Sequence, residues 1–209
     1  MDRKGILLVV SGFSGAGKGT LMKELVGRYD NYALSISATT RSPREGEVDG
    51  REYFFRTKDE FEQMIADEAL IEHACYVGNY YGTPRAYVEE QLALGRDVIL
   101  EIEIQGALQI KKRFPDTLLL FVSTPDAETL KNRLIGRGTE SLEVVEKRLS
   151  RASEEAEGIE NYDYFIINDD LDTCVTQVHQ IIQGEHSRVS RNLELINTIK
   201  KDISKFQKG

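Results

Sequence analysis

Apolar and polar positions fall into blocks along the chain, and these blocks predict strands and helices in turn. Residues 6–10 form a continuous apolar run rich in β-branched side chains, which is typical of a fully buried strand. Residues 20–26 place apolar side chains at helical spacing. Further strands are predicted at 97–104, 117–122 and 164–168, each followed by a helical pattern. Strands that alternate with helices predict a parallel sheet covered on both faces, an α/β fold.

The helices of this part of the chain have recognisable start signals. A helix is predicted at 105–113, and the next begins at Thr124-Pro125, with a hydroxyl cap and a proline in the first turn, and ends near residue 135. Ser141 is expected to open another helix that runs to about residue 157, and a further helix is predicted at 172–183. Residues 188–206 carry one apolar stripe, which predicts a helix packed on the core or on a second subunit.

The pattern between the first helix and the strand at 97 is shorter and more mixed. In order, it predicts a strand at 34–38, a polar loop at 39–47, a strand at 53–56, a helix opened by the capping box of Thr57 and Glu60, a strand at 70–77, a turn at 78–82 and a helix opened by Thr83-Pro84. We therefore expect a small α+β insert over about residues 35–90.

Composition and charge narrow the functional classes. A chain of 209 residues with 40% apolar and 30% charged side chains is typical of one globular α/β domain. The net charge of −8 argues against nonspecific binding to nucleic acid or to anionic membranes. No apolar stretch approaches the roughly 20 residues that span a bilayer, the N-terminus leaves no room for a signal peptide, and the cytoplasm is the expected compartment. Cys75 and Cys174 lack the spacing of a disulfide framework or a zinc site.

The strongest chemical signal is the glycine-rich segment between the first strand and the first helix. Strand, glycine-rich turn and helix are the context of a phosphate-binding loop, in which backbone N–H groups converge on phosphate oxygens. Lys18 would bring a full positive charge to the β- and γ-phosphates of a nucleotide. The candidate nucleotide-binding residues of this loop are Gly12, Ser14, Gly15, Ala16, Gly17, Lys18, Gly19 and Thr20.

The loop departs from the pattern G-x-x-x-x-G-K-[ST] at one position. Gly19 follows the lysine where a hydroxyl is expected, and Thr20 comes next. Loops that read G-K-G-T resemble those of mononucleotide kinases such as adenylate kinase. Thr20 is therefore the candidate contact to Mg²⁺, which would arrive as Mg-ATP.

Three further segments resemble the guanylate kinase family: residues 37–44, residues 78–83 and residues 136–140. Residues 105–106 and 167–170 fit the same family, and the resemblance runs in unbroken order over about residues 4–183. It implies the reaction ATP + GMP ⇌ ADP + GDP with Mg²⁺, in a three-layer P-loop NTPase core with a GMP-binding insert and a helical lid. The implied divisions are a core at 1–34, 91–134 and 159–184, an insert at 35–90, a lid at 135–158 and a helical tail at 185–209.

The resemblance also implies individual roles. Arg41, Arg44, Tyr53 and Tyr81 would bind the GMP phosphate, and guanidinium forks suit such a dianion. Glu72 would accept the N1 and N2 protons of guanine, Ser37 and Thr83 would face its O6, and Gly82 lies between these groups in sequence. The residues expected to act on the transferred phosphoryl group are Lys18, Arg44, Arg137 and Arg148, with Arg133 as a weaker candidate. Asn168 would approach the adenine of ATP.

Two acids, Glu101 and Glu103, end the predicted strand at 97–104, where many members of the family carry aspartates. In open parallel sheets ligands gather beyond the carboxyl ends of the strands, which places these acids on the functional side. Because both residues keep a carboxylate, we expect them to contact Mg²⁺-bound water or GMP, in a division that the sequence leaves open.

Two other functions compete with this one. A scaffold module of the guanylate-kinase-like type would bind a partner protein without catalysis, but such modules lack an intact phosphate loop. A kinase of another nucleoside monophosphate would keep the loop and change the base pocket. The expected partners are ATP and GMP, without nucleic acid or membrane, and the chain is expected to be a monomer or a homodimer.

Overall fold

A computed structural model of the chain describes residues 4–76, 78–136, 148–150, 152–153 and 155–206. The strands are β1 (Leu7–Gly12), β2 (Tyr32–Leu34), β3 (Ala38–Thr39), β4 (Phe54–Phe55), β5 (Leu70–Tyr76), β6 (Asn79–Pro84), β7 (Asp97–Glu101), β8 (Leu118–Ser123) and β9 (Tyr164–Ile167). The helices with defined bounds are α1 (Lys18–Arg28), α2 (Lys58–Ala66), α3 (Arg85–Ala93), α4 (Ile104–Arg113), α5 (Ala127–Ile135), α6 (Leu171–His186) and α7 (Leu193–Lys205).

The main sheet has five parallel strands in the order β2-β7-β1-β8-β9. Its central strand β1 is apolar because it is covered on both faces. Leu8 and Val10 join a core cluster with Leu21 and Leu25 of α1, whereas Val9 joins a separate cluster formed with α3 and α4. All five of these side chains are fully buried, and each stabilises the fold by about 1.5–3 kcal/mol. The predicted α/β fold is confirmed.

A second sheet of four strands, in the order β4-β3-β6-β5, is mostly antiparallel and lies within residues 38–84. Its helix α2 opens with the predicted capping box, since Thr57 Oγ1 accepts from the Glu60 N–H and the Glu60 carboxylate accepts from the Thr57 N–H. Phe61 of α2 is fully buried under this sheet with Ala38 and Leu70. The mixed pattern of this segment therefore reflects a second, smaller core.

The single strand predicted at 34–38 is wrong. β2 pairs with β7 of the main sheet, whereas β3 pairs with β4 and β6 of the second sheet. The Ser35 N–H donates to the Ile99 carbonyl, and the Ser37 carbonyl accepts from the Phe54 N–H. The chain thus crosses between sheets within three residues. The prediction missed this crossing because an alternating pattern does not indicate which strand is the partner.

Other boundaries also differ from the prediction. The expected turn at 78–82 is instead the start of β6, and only Gly78, with φ of 75°, has the left-handed backbone of a turn. The strand predicted at 97–104 ends at Glu101, because α4 begins at Ile104. Helix α5 begins at Ala127 rather than at Pro125, since Asp126 caps it by accepting from the Thr129 N–H. Pro84 is the N-cap of α3 and not its first residue.

Helix α7 carries the predicted apolar stripe, but the stripe is largely exposed. Leu193, Ile199 and Ile203 are 51%, 47% and 55% exposed, and none of the helix residues is buried. The expected packing on the core is therefore not observed in the described part of the chain, and packing on a second subunit stays a prediction. Across these same ranges, no helix combines the length and apolar character required to cross a bilayer.

Asp97, at the start of β7, ties three segments together and is fully buried. Its carboxylate accepts from the Ile6 N–H at 2.8 Å and from Asn31 Nδ2 at 3.1 Å, and it lies 2.8 Å from His186 Nε2 of α6. We expect Asp97→Ala to lower the free energy of unfolding by about 3 kcal/mol, because it leaves buried donors without their acceptor. Urea denaturation would measure this loss. Asp116→Ala, at an exposed position, is the control, and equal stability of both variants would contradict the expectation.

Candidate active site

The turn between β1 and α1 has the geometry of a phosphate-binding loop. Gly15 and Gly17 have φ of 95° and 87°, the left-handed region that only glycine adopts without strain. Gly12 packs so closely on β8 that an added Cβ would lie 2.0 Å from the Val122 carbonyl oxygen. These glycines therefore turn the chain sharply at the end of β1, as a loop that wraps around a phosphate requires.

The start of α1 favours an anion. Among the described residues no side chain caps this helix, and its first turn holds no acidic residue, so the positive end of its dipole favours a negatively charged ligand. Lys18 folds back over the loop, where its Nζ donates to the carbonyls of Gly12 at 2.7 Å and Phe13 at 3.2 Å. Its charge thus lies directly over the loop.

Asn168 follows β9 and contacts the phosphate-binding loop. Its Nδ2 donates to the Ala16 carbonyl at 2.8 Å, its own N–H donates to the Ser123 carbonyl, and only 5% of the residue is exposed. Arg133 of α5 donates from Nη1 to the Asn168 carbonyl at 2.8 Å. Both residues therefore position the loop and its surroundings, a role that the sequence did not reveal. The expected contact of Asn168 with adenine stays a prediction.

Carboxylates lie beside the loop at the end of β7. A Cβ placed on Gly19 would be 3.9 Å from Glu101 Oε2. Position 19, where the loop pattern expects a serine or threonine, therefore faces a carboxylate. Glu101 lines an open cleft, and the surrounding protein removes enough water to raise the pKa of its carboxyl, while the charge of Lys18 opposes this. Thr20 is exposed in the first turn of α1. In the described ranges, no group of three or more His, Cys, Asp and Glu side chains could hold a metal by itself.

One cleft of about 710 Å³ connects the loop with the second sheet. Residues expected from the sequence that line it are Gly12, Ser14, Lys18, Ser37, Arg41, Arg44, Tyr53, Glu72, Tyr81, Glu101 and Glu103. The structure thus brings together residues that are up to 91 positions apart in the chain, as the contact between Ser11 Oγ and the Ile102 carbonyl illustrates.

One end of the cleft holds a buried carboxylate. Glu72 on β5 is 4% exposed, and it accepts from Thr83 Oγ1 of β6 at 2.7 Å. Burial raises the pKa of the Glu72 carboxyl to about 7, and the Thr83 hydrogen bond opposes the shift. Gly106 of α4 forms the opposite wall, since an added Cβ would be 2.9 Å from Glu72 Oε2. Gly82 has a packing reason to be glycine, because a Cβ there would be 3.0 Å from the Phe61 ring.

The middle of the cleft is lined by cations and phenols. The Arg41 guanidinium lies 5.2 Å from the centre of the Tyr53 ring, and the rings of Tyr53 and Tyr81 are 6.1 Å apart. Burial raises the pKa of the Tyr53 hydroxyl, which keeps it a hydrogen-bond donor. Arg44 is exposed on the rim of the cleft.

Of the two arginines expected in a lid, Arg148 donates from Nη1 to Ser14 Oγ of the loop at 3.2 Å. Arg137 and Ser141 lie outside the described residues. Sequence reasoning also missed Glu47, which pairs with Arg41, and the role of Gly106 as a wall. The only sequence signal for Glu47 is its position six residues after Arg41, with Pro43 and Gly46 between them.

Comparisons with known proteins agree with this geometry. The family model described as "Guanylate kinase" matches residues 4–185. The chain is 50% identical over 194 residues to the guanylate kinase of Lactococcus lactis subsp. lactis (strain IL1403), covering 93% of this chain and 95% of that one. It is 47% identical over 206 residues to that of Streptococcus agalactiae serotype III (strain NEM316), covering 98% and 99%. The crystal structure of guanylate kinase from Anaplasma phagocytophilum superposes with a TM-score of 0.74 at 29% identity, covering 90% of this chain and 89% of that one. The chain belongs to the guanylate kinase family.

Proposed function

We infer that this chain transfers the γ-phosphoryl group of ATP to GMP, giving ADP and GDP. The observation that carries the inference is the single cleft that joins a phosphate-binding loop to a buried carboxylate paired with a threonine. The first of these features suits a nucleoside triphosphate, and the second suits a base with two adjacent N–H donors, which is guanine. The family relationship supports the same reaction.

Phosphoryl transfer needs little covalent chemistry from the protein, so positioning and charge neutralisation carry it. In the proposed mechanism, the loop N–H groups and Lys18 hold the β- and γ-phosphates of ATP. Arg41, Tyr53 and Tyr81 hold the GMP phosphate on the opposite side. Arg44 faces the group in transfer. Arg148, with Arg137, neutralises the charge that develops on the equatorial oxygens and helps to exclude water.

Base selection would follow from desolvation. Glu72 accepts the N1 and N2 protons of guanine, while Thr83 and Ser37 are placed at the same end of the cleft as hydroxyl partners. Adenine lacks donors at these positions, so its binding would leave a buried carboxylate unpaired. Such a mismatch gives strong rejection.

The donor atoms near the loop fit Mg²⁺ brought by ATP. Carboxylate and hydroxyl oxygens are the ligands that Mg²⁺ prefers, and Glu101 faces the Gly19 position. We propose that Glu101 and Thr20, with Glu103 nearby, hold the ion through its water shell. When bound, the ion neutralises phosphate charge.

The remaining assignments are proposals of the same kind. We propose the core, insert, lid and tail at the bounds expected from the sequence, except that α3 packs on the core of the main sheet and is assigned to it. Asn168 contributes to the ATP side. The chain is a monomer or a homodimer of the cytoplasm. Neither alternative function gains support, because a scaffold module would lack the loop that Lys18 completes, and another base would not suit Glu72.

A coupled assay of ADP release, with ATP, Mg²⁺ and each of GMP, AMP, UMP and CMP, tests the proposal. We expect turnover confined to GMP. Turnover with another nucleotide would overturn the base assignment and keep the kinase. The absence of turnover from folded protein that still binds GMP would favour the scaffold module.

Gly106→Ala tests the wall of the base pocket. The added methyl group would push on Glu72 Oε2, and displacing a reacting or binding group by a fraction of an ångström is costly. We expect the KM for GMP to rise about tenfold while the KM for ATP stays unchanged. Gly184→Ala on α6 is the matched control, because a Cβ there meets no atom within 4 Å. Equal kinetics of the two variants would show that the pocket is elsewhere.

A further inference from the structure

In the loop that joins β3 to β4, the carboxylate of Glu47 accepts hydrogen bonds from two arginines. Glu47 accepts from Arg41 at both oxygens, with Nη1 at 2.9 Å and Nη2 at 3.0 Å, and it also accepts from the Arg44 N–H at 2.7 Å. The Glu47 N–H donates to the Arg44 carbonyl at 3.0 Å. Gly46, with φ of 83°, allows the reversal that brings Glu47 back to Arg41. One side chain therefore fixes the guanidinium of Arg41 and the backbone of Arg44.

The Arg41–Glu47 pair is sheltered from solvent. Each of the two side chains is only 16% exposed, and the Arg41 guanidinium also lies near the rings of Tyr53 and Phe55. Hydrogen bonds from Arg41, and then from the Arg44 backbone, lower the pKa of the Glu47 carboxyl, so both partners stay ionised at neutral pH. A bidentate pair of this kind sets the plane of the guanidinium as well as its position.

The pairing leaves Arg41 able to bind a ligand. A guanidinium has five N–H groups, of which two donate to Glu47 and one donates to the Ser42 carbonyl at 2.7 Å. Two N–H groups are thus left for Tyr81 and for an anion in the cleft. Glu47 lines the cleft beside them, although it has the charge that an anion site should avoid.

We propose that Glu47 is a positioning residue for the acceptor phosphate: it holds the Arg41 guanidinium and the Arg44 backbone in the arrangement that receives the phosphate of GMP. This inference rests on the proposed function. Its action is indirect, because a carboxylate repels the phosphate itself and helps only by fixing the Arg41 guanidinium and the Arg44 backbone. Loss of orientation outweighs relief of repulsion here, because an unpaired arginine has about four rotatable bonds to immobilise again at each binding event.

The direction of the effect of Glu47→Gln distinguishes orientation from repulsion, because the amide keeps the shape of the side chain, loses its charge and has one acceptor oxygen where the carboxylate uses two. Glu45→Gln, an exposed acid in the same loop, is the matched control. For each variant we would measure GMP and guanosine affinity by calorimetry, the KM values for GMP and ATP, kcat, and the melting temperature. Guanosine probes the base pocket alone, since it lacks the phosphate.

We expect Glu47→Gln to raise the Kd and KM for GMP about tenfold, with unchanged guanosine affinity, KM for ATP and melting temperature. Glu45→Gln should behave as the wild type. Unchanged or tighter GMP binding would overturn the proposal, because repulsion would then be the dominant effect of Glu47. An equal loss for GMP and guanosine would also overturn it, because Glu47 would then only maintain the fold. A wild-type chain that does not phosphorylate GMP would overturn the proposed function instead, and the comparison of GMP with guanosine would still judge Glu47.

Discussion

Lys18→Ala is expected to lower kcat/KM for GMP phosphorylation by about 10³-fold, or about 4 kcal/mol of transition-state stabilisation. The Lys18 ammonium is held over the loop by the carbonyls of Gly12 and Phe13 and is the full positive charge that the loop itself supplies. Negative charge builds up at this point as the bond to the γ-phosphoryl group breaks. Steady-state kinetics with GMP and Mg-ATP would measure the loss.

The control for this substitution is Lys23→Ala, which removes an exposed lysine from the same helix. It should leave kcat/KM within about twofold of the wild type, since surface substitutions rarely perturb a site. Lys18→Arg should recover only part of the activity, because the wider guanidinium does not fit the same pair of carbonyls. Full activity of Lys18→Ala would remove the loop from the proposed mechanism.

The second large expected effect is a pH dependence of guanosine affinity that arises from Glu72. Since its pKa is about 7 in the unliganded protein, and guanine needs the ionised form, affinity should fall as pH falls. Between about pH 8 and pH 6 the ionised fraction drops about tenfold, so the Kd of guanosine should rise by the same factor. Guanosine is the appropriate ligand, because the phosphate of GMP titrates in the same range. Calorimetry at several pH values would follow the change.

Glu72→Gln should remove this pH dependence and weaken GMP binding more than a hundredfold at about pH 8, because a charged acceptor of two hydrogen bonds is replaced by an amide that donates on one side. The affinity for AMP should change far less, so the ratio between the GMP and AMP affinities should become smaller. A pH profile that is the same for the variant and the wild type would show that another group titrates.

The raised pKa of Glu72 also affects stability, with the opposite dependence on pH. The folded protein binds this proton more tightly than the unfolded chain, so the free energy of unfolding should decrease as pH rises from about 4.5 to about 7. The contribution of this one group is about 3 kcal/mol, relative to Glu72→Gln. Urea denaturation across this pH range would detect it, and parallel curves for the two proteins would contradict it.

Much of this architecture could be predicted from the sequence, because the signals were local. The buried run of β1, the glycines at 15 and 17 and the capping box at Thr57 each depend on a few neighbouring residues. The boundaries that were wrong depend on distant partners. Residues 35–37 cross from one sheet to the other, and an alternating pattern looks the same whichever strand lies beside it.

The same distinction applies to the site. The lysine and the glycines of the loop are adjacent in sequence, so their pattern was informative. The contact of Asn168 with Ala16 spans 152 positions, and the approach of Gly106 to Glu72 depends on how α4 packs on β5. The pairing of Arg41 with Glu47 is short in sequence, but it requires a loop reversal that composition alone does not specify.

Helix α4 meets β5 near both of its ends, at Gly106 beside Glu72 and at Arg113, whose Nη1 donates to the Ile71 carbonyl at 2.9 Å. The proposed base pocket thus lies where α4 contacts β5 at two points, whereas the phosphate-binding loop belongs to a different part of the chain. Nucleobase preference and phosphoryl transfer are separable for protein engineering. A library restricted to positions 72, 83 and 106 could search for new base preferences while the catalytic loop keeps its native sequence.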